Sequence, residues 1–338
     1  MKNIFLLLLF IGLVSCNSAQ SNYATRKNKS RIDYANTITA ADLKTHLYQF
    51  ADDKMQGRMT AEPGQKMAAD YLKNFYVTRG IGAALPNNNY FQDIPASYFG
   101  KKTNDKPSEN VVAFIKGSEK PNEVIVLSAH YDHVGMHDGE IYNGADDDGS
   151  GTVAMLEIAE AFQKAVKDGN GPKRSILFLH VTGEEIGLYG SKYYTENPIF
   201  PLENTVCNLN TDMIGRIDPN KKETPNYIYL IGSDKLSQEL HDVSEMINKD
   251  YINLELDYTF NDENDPNRFY YRSDHYNFAK KNIPIIFYFN GVHEDYHKPT
   301  DTPDKIEYEL MAKRAKLIFQ TAWEIANREG RITADKLK

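Results

Sequence analysis

The sequence predicts an α/β protein: a three-layer α/β/α sandwich around a mostly parallel, mixed sheet. Three observations predict it. Short continuous apolar runs such as Val124–Ser128 and Ser175–Val181 alternate with amphipathic helical stretches. Apolar runs without period-two alternation belong to strands covered on both faces, as in parallel sheets flanked by helices. The chain has 338 residues, 41% of them hydrophobic and 25% charged, so it can bury a sheet of that kind.

The amino terminus differs in kind from the rest. Met1-Lys2-Asn3 precedes an apolar run, Ile4 to Val14, broken only by Gly12. One basic residue and about ten apolar ones make an export signal. The run is too short for a membrane-spanning helix, which needs about 20 residues. Leu13-Val14-Ser15-Cys16 resembles the lipobox of bacterial lipoproteins, which implies cleavage before Cys16 and its acylation. The expected organisation is a signal peptide over 1–15, a lipid-anchored polar tether over 16–38 and one domain over 39–338. The protein is then exported and membrane-anchored, periplasmic or at the cell surface. Cys207 would be the sole remaining cysteine, in the apolar stretch Val206–Leu209, and reads as a small core residue. A net charge of -8 argues against nucleic acid as a partner.

Thr39–Asp52 is expected to be a helix capped by Thr39, with Leu43, Leu47 and Phe50 on one face. Gly64–Arg79 places Met67, Tyr71 and Phe75 likewise, and Gly80 and Gly82 end it. Strands follow at Val111–Ile115, Val124–Ser128, Ser175–Val181, Thr205–Asn210, Tyr227–Ile231, Ile252–Leu256 and Pro284–Phe289. Helices are expected at Ser150–Val166, Leu188–Tyr194, Leu236–Lys249, Tyr276–Lys281 and Asp304–Arg328. The last has Thr302-Pro303 as its start signal.

Ligands of such sheets bind beyond the carboxyl ends of the strands. The residues there are not random. Val124–Ser128 is followed by Ala129-His130-Tyr131-Asp132, and a later loop carries Gly144-Ala145-Asp146-Asp147-Asp148-Gly149-Ser150-Gly151. Ile176–Thr182 is followed by Gly183-Glu184-Glu185-Ile186-Gly187, and Val206–Asn210 by Thr211-Asp212-Met213. Pro284–Phe289 leads to Tyr296-His297-Lys298-Pro299. Carboxylates packed together repel and are pushed toward protonation unless cations neutralise them. Imidazoles among carboxylates suit zinc, or manganese or cobalt by substitution. The donors exceed the needs of one tetrahedral ion, which favours two ions bridged by a carboxylate.

The set His-x-Asp, Gly-Ala-Asp-Asp-Asp-x-Ser-Gly, Gly-Glu-Glu-x-Gly, Asp-Met and Tyr-His-x-Pro-x-Asp-Thr resembles the secreted di-zinc aminopeptidases. Their superfamily also holds glutamate carboxypeptidase II and the glutaminyl cyclases. The resemblance runs from about Asp42 through the final helix and includes Met55-Gln56-Gly57-Arg58 and Arg272-Ser273-Asp274-His275. It implies two zinc ions held by His130, Asp147, Glu185, Asp212 and His297, with Asp147 bridging. The expected grouping is His130 with Asp212 and His297 with Glu185, although the sequence leaves that pairing open. Glu184 resembles the general base, Asp132 the carboxylate that orients His130, and Tyr296 a donor to the developing oxyanion. The implied substrates are peptides with a free amino terminus.

Asp274 either supports this site or caps a helix. His133, His137 and His293 lie off the motif positions and have no expected role. His180 reads as core, and His46 and His241 as exposed. Ordinary packing accounts for Phe269-Tyr270-Tyr271 better than a substrate pocket does. One rival is a single-zinc glutaminyl cyclase. Those enzymes carry a Trp just before the last His ligand, whereas Tyr296 stands here and the one Trp is Trp323. A dipeptidase or carboxypeptidase of the superfamily is a second rival. A non-catalytic scaffold would have lost a ligand or the base, and none is missing.

Overall fold

The computed structural model describes residues 31–337. The expected signal peptide and Cys16 lie outside them. The folded body starts earlier than the sequence suggests: residues 31–35 are helical, and Arg31, Tyr34, Ala35 and Ile38 are buried. Arg31 pairs with Glu324 at 2.8 Å, and Tyr34 packs on Trp323 with ring centres 5.5 Å apart. Residues 31–38, expected to be tether, therefore belong to the folded body. The polar composition around them concealed three buried apolar residues, Tyr34, Ala35 and Ile38.

Strands β1 (Gly82–Ala83), β2 (Phe91–Ile94), β3 (Ser108–Ile115), β4 (Lys120–His130), β7 (Arg174–Val181), β8 (Thr205–Thr211), β9 (Tyr227–Ile231), β10 (Glu255–Asp257) and β11 (Ile285–Phe289) form one nine-stranded sheet. The short strands β5 (Gly135–His137) and β6 (Glu140–Tyr142) make a separate hairpin. The order is β1-β3-β7-β4-β8-β11-β9-β10, with β2 also on β3. The central strands β7, β4, β8 and β11 are parallel to one another, while β3 and β9 run antiparallel on either side. Four carboxyl ends thus meet at one edge.

Helices cover both faces. Helices α1 (Ala40–Phe50), α2 (Pro63–Arg79), α3 (Gly151–Lys167), α5 (Gln238–Ile247) and α7 (Tyr308–Asn327) pack on one; α4 (Tyr189–Glu196) and α6 (His275–Ala279) on the other. Ile125, Leu127 and Ala129 of β4 join the larger layer, and Val124 and Val126 the smaller. Both faces are buried, so the strand reads as an unbroken apolar run.

Thr39 caps α1 by accepting from the Asp42 N–H at 3.1 Å. Gly80, left-handed at φ 73°, closes α2. The buried face of α2 is the expected one only in part: Phe75 is buried and Tyr71 packs against the core, but Met67 is not. Met67 is 40% exposed, and Ala68, Ala69, Leu72, Phe75 and Tyr76 face the core. Small alanines let the helix approach closely, which a search for large apolar residues overlooks. The expected strand Ile252–Leu256 is Glu255–Asp257, because a helical turn runs on to Ile252 and Asn253 ends it at φ 61°. Pro303 opens only a short turn, Pro303–Lys305, and α7 starts at Tyr308. No helix among the described residues is long and apolar enough to cross a membrane.

Candidate metal centre

The four parallel strands deliver the site. His130 is the last residue of β4, Glu184 and Glu185 follow β7, Asp212 follows β8, and Tyr296 and His297 lie on the loop after β11. Asp147 sits in the turn that leads into α3. All five residues expected to hold metal come together. Asp147 Oδ1 lies 3.1 Å from His130 Nε2, which is also 3.6 Å from Asp212 Oδ1. Asp147 Oδ2 lies 3.0 Å from His297 Nε2, which is 3.1 Å from Glu185 Oε2. The two oxygens of Asp147 thus face two separate groups, His130 with Asp212 and His297 with Glu185.

The scaffold fixes the backbone that carries that carboxylate. Asp301, fully buried, accepts from the backbone N–H of Asp146 at 3.0–3.1 Å and of Asp147 at 3.2 Å. Asp146 accepts from Gly215 N–H and the Ser150 hydroxyl, and faces His293 Nε2 at 3.1 Å. Arg58, also fully buried, donates to the carbonyls of Phe50, Tyr131, Asn143 and Gly144 at 2.6–3.3 Å. Burial lowers its pKa to about 10, with Asp147 and Asp301 opposing, so it stays charged at neutral pH.

His130 is oriented differently from expectation. Its Nδ1 donates to the backbone carbonyl of Asp132 at 3.0 Å, while the Asp132 carboxylate stands 3.9 Å away. That carboxylate accepts from the Thr60 hydroxyl at 2.7 Å and from the Glu184 N–H at 3.2 Å. Both donors are nearer than the His130 ring, so Asp132 ties the end of β4 to the Glu184 loop. Asp212 Oδ2 accepts from the Ser273 hydroxyl at 2.6 Å, and a chain through Asn210 to Ser128 continues beneath it.

Asp274 makes no capping bond to α6. It accepts from the Ser191 hydroxyl beside the site, and burial pushes its carboxyl up to about 7. Tyr296 stacks on His297 with ring centres 3.9 Å apart. Burial and the surrounding carboxylates push its phenol well up, so it is a hydrogen-bond donor at neutral pH. The remaining histidines divide. His180 is core, with its pKa lowered to about 3 by burial. His46 is not exposed as expected: it lies between Tyr71 and Glu157. His133, given no role in the sequence, is 1% exposed and sits against Glu185. Only its place three residues after His130 could have pointed to it. Cys207 is buried in β8, where burial pushes its thiol up to about 12.

Electrostatics show what the site wants. Burial disfavours charge on His130, yet Asp212 and Asp147 hold its pKa well above the usual value. For His297 the same contest, burial against Asp147 and Glu185, ends at about 10. Burial pushes Glu184 well up, against His130 and with Glu185 adding. Without metal, imidazolium rings must neutralise the carboxylates. His130 Nε2, Asp147 Oδ2 and Glu185 Oε1 are nevertheless buried with no hydrogen-bond partner. Close donors that do not bond one another are the pattern expected of atoms aimed at a shared cation, and their nitrogen and oxygen character suits zinc.

Beside these groups opens a pocket walled by Met213, Phe269, Phe287, Phe289 and Val292, with Glu184 and Tyr296 at its polar end. Phe269 therefore lines a cavity rather than merely filling core; Tyr270 and Tyr271 are not part of that wall.

The peptidase family M28 profile matches residues 110–322. A probable leucine aminopeptidase of Trichophyton verrucosum is 27% identical over 321 residues, covering 92% of this chain and 83% of that one. Against several fungal probable zinc metalloproteases the chain spans only 22–24% of their length. Among solved structures, the Legionella pneumophila LapA aminopeptidase superposes with a TM-score of 0.68 at 20% identity, over 89% of this chain and 75% of that one. A Bacteroides thetaiotaomicron glutaminyl cyclase does so with 0.64 at 18% identity, over 87% and 99%. These two likenesses establish the fold and do not choose between the activities. The family match spans well over half of the chain and contains every one of its expected metal-holding residues: the chain belongs to peptidase family M28.

Proposed function

We propose that this protein is an aminopeptidase with two zinc ions, one held by His130 and Asp212, the other by Glu185 and His297, and both by Asp147. The observation that carries the reading is the division of the two Asp147 oxygens between those groups. A bound pair of ions polarises the scissile carbonyl and lowers the pKa of a water from about 15.7 toward about 7. Glu184, at the pocket edge, takes the proton from the attacking water and returns it to the leaving amine. The Tyr296 hydroxyl donates to the oxygen that gains charge. The substrate's free α-amine is received by the carboxylates of the site. Its first side chain faces the apolar wall of Met213, Phe287 and Phe289.

The cyclase reading has less support. Tyr296 stands where a cyclase has Trp, and the donors for a second ion are complete. The test uses the purified full-length chain: metal content, then turnover of free-amine and N-acetylated aminoacyl substrates with and without chelator. About two zinc per chain, with chelator-sensitive release from free-amine substrates alone, is the expected result. One zinc, no hydrolysis and cyclisation of amino-terminal Gln would replace the proposal with the cyclase.

We further infer export and anchoring through acylated Cys16, on the strength of Ile4–Val14 and Leu13-Val14-Ser15-Cys16. Radiolabelled palmitate should enter the wild-type chain and not Cys16→Ala. Equal labelling of both would refute the anchor.

A further inference from the structure

Most polar clusters away from the five expected donors account for themselves. His46 is shared by Tyr71 and Glu157, Lys221 by Glu255 and Asp257, and Arg216 by Asp295. His133 does not. It is 1% exposed, and its backbone N–H is fixed on the Arg58 carbonyl at 3.2 Å. Its Nδ1 lies 2.8 Å from Glu185 Oε1 and 3.7 Å from Asp147 Oδ2. Neither ring nitrogen makes a hydrogen bond, and neither do those two oxygens. At 2.8 Å a ring N–H that bonded the carboxylate would point at it; this one does not.

Buried polar atoms are almost always partnered. Three that approach one another without bonding share a partner placed among them. Asp147 Oδ2 and Glu185 Oε1 are, on the reading above, donors to the ion beside His297. One atom each of His133, Asp147 and Glu185 lies within 4.8 Å of the others, close enough to touch one ion. His130 Nε2, an expected zinc donor, shows the same unbonded approach to Asp147. The ring also has a space made for it. A Cβ on Gly144, left-handed at φ 55°, would stand 2.5 Å from two carbons of the His133 ring.

We propose that His133 Nδ1 is a further ligand of the ion held by Glu185, Asp147 and His297. This rests on the two-zinc reading and adds a donor to it. His297 reaches that ion from an exposed loop, whereas His133 reaches it from the buried end of β4. The second imidazole retains the ion, and its Nδ1 lone pair must be free of a proton to do so.

The experiment measures metal rather than turnover. Zinc is titrated into metal-free full-length wild type, His133→Ala and His133→Asn against a chromophoric chelator. Cobalt(II) spectra report the donor set. Asn keeps an N–H near the Nδ1 position but is a poor zinc donor, so it separates a ligand from a hydrogen bond to Glu185. Both variants should lose roughly 10–100-fold or more in affinity at one site, keep the other, and change the cobalt band of that site. Equal melting temperatures of the metal-free proteins show that the fold is intact; if Ala unfolds the chain, Asn carries the test. His133→Asn with wild-type affinity and spectrum overturns the proposal. A wild type that binds fewer than two zinc ions overturns instead the two-zinc reading on which it rests.

Discussion

Glu184→Gln is expected to keep the fold and both metals and to lose at least about 10²-fold in kcat. Three features give the effect its size. Glu184 borders the pocket with Asp147 and Asp212, where a substrate carbonyl must sit. Its carboxylate is within 4 Å of no histidine nitrogen, whereas Glu185 touches both His133 and His297. On the proposed reading the two neighbours divide the work, Glu185 toward the metal and Glu184 toward the proton. Burial raises the Glu184 pKa, with His130 opposing and the Glu185 charge adding. Gln preserves shape and hydrogen bonding and removes only the capacity to accept and return a proton. Kinetics and zinc content of the same sample decide the matter. Unchanged turnover removes Glu184 from the mechanism, and loss of zinc means that the roles of Glu184 and Glu185 were exchanged.

Much of this site was legible in the sequence because strand ends are legible. A continuous apolar run marks a strand, and its carboxyl end marks where His130, Glu185, Asp212 and His297 must gather. What stayed hidden depends on backbone carbonyls and on packing. His130 takes its orientation from the Asp132 carbonyl, an atom that every residue possesses, so the motif pointed to the carboxylate instead. His133 becomes a candidate only because the chain after β4 folds back under Arg58 and Gly144 clears room for the ring. In α2 the alanines, not Met67, face the core, since closeness of approach decides burial there. Periodicity ranks large apolar residues and cannot see that. The start of α7 moved for a related reason: Thr302-Pro303 is a good local start signal, but Ile306 is extended and the helix waits until Tyr308.

Arg58→Met should be strongly destabilising. The guanidinium is wholly buried and holds four carbonyls, those of Phe50, Tyr131, Asn143 and Gly144. Methionine fills similar volume and leaves no buried charge, so the loss is that of the donors. The Gly144 carbonyl keeps the Gly149 N–H at 3.2 Å, so three acceptors lose their donor. Each buried acceptor left unsatisfied costs about 1–3 kcal/mol, and relaxation or water entry recovers part of it. A net loss of at least about 3 kcal/mol follows, read from the urea midpoint of the metal-free chain. Lysine should restore little, because one ammonium cannot reproduce the planar fork that spans four acceptors. The four carbonyls also explain why zinc affinity must fall with stability. Tyr131 lies between His130 and Asp132, and Asn143 and Gly144 begin the turn that presents Asp147. One side chain thus sets the separation between the end of β4 and the Asp147 carboxylate. An unchanged midpoint would mean that water replaces the guanidinium without cost. An unchanged zinc affinity in a destabilised variant would mean that Asp301 alone is enough to hold Asp147 in place.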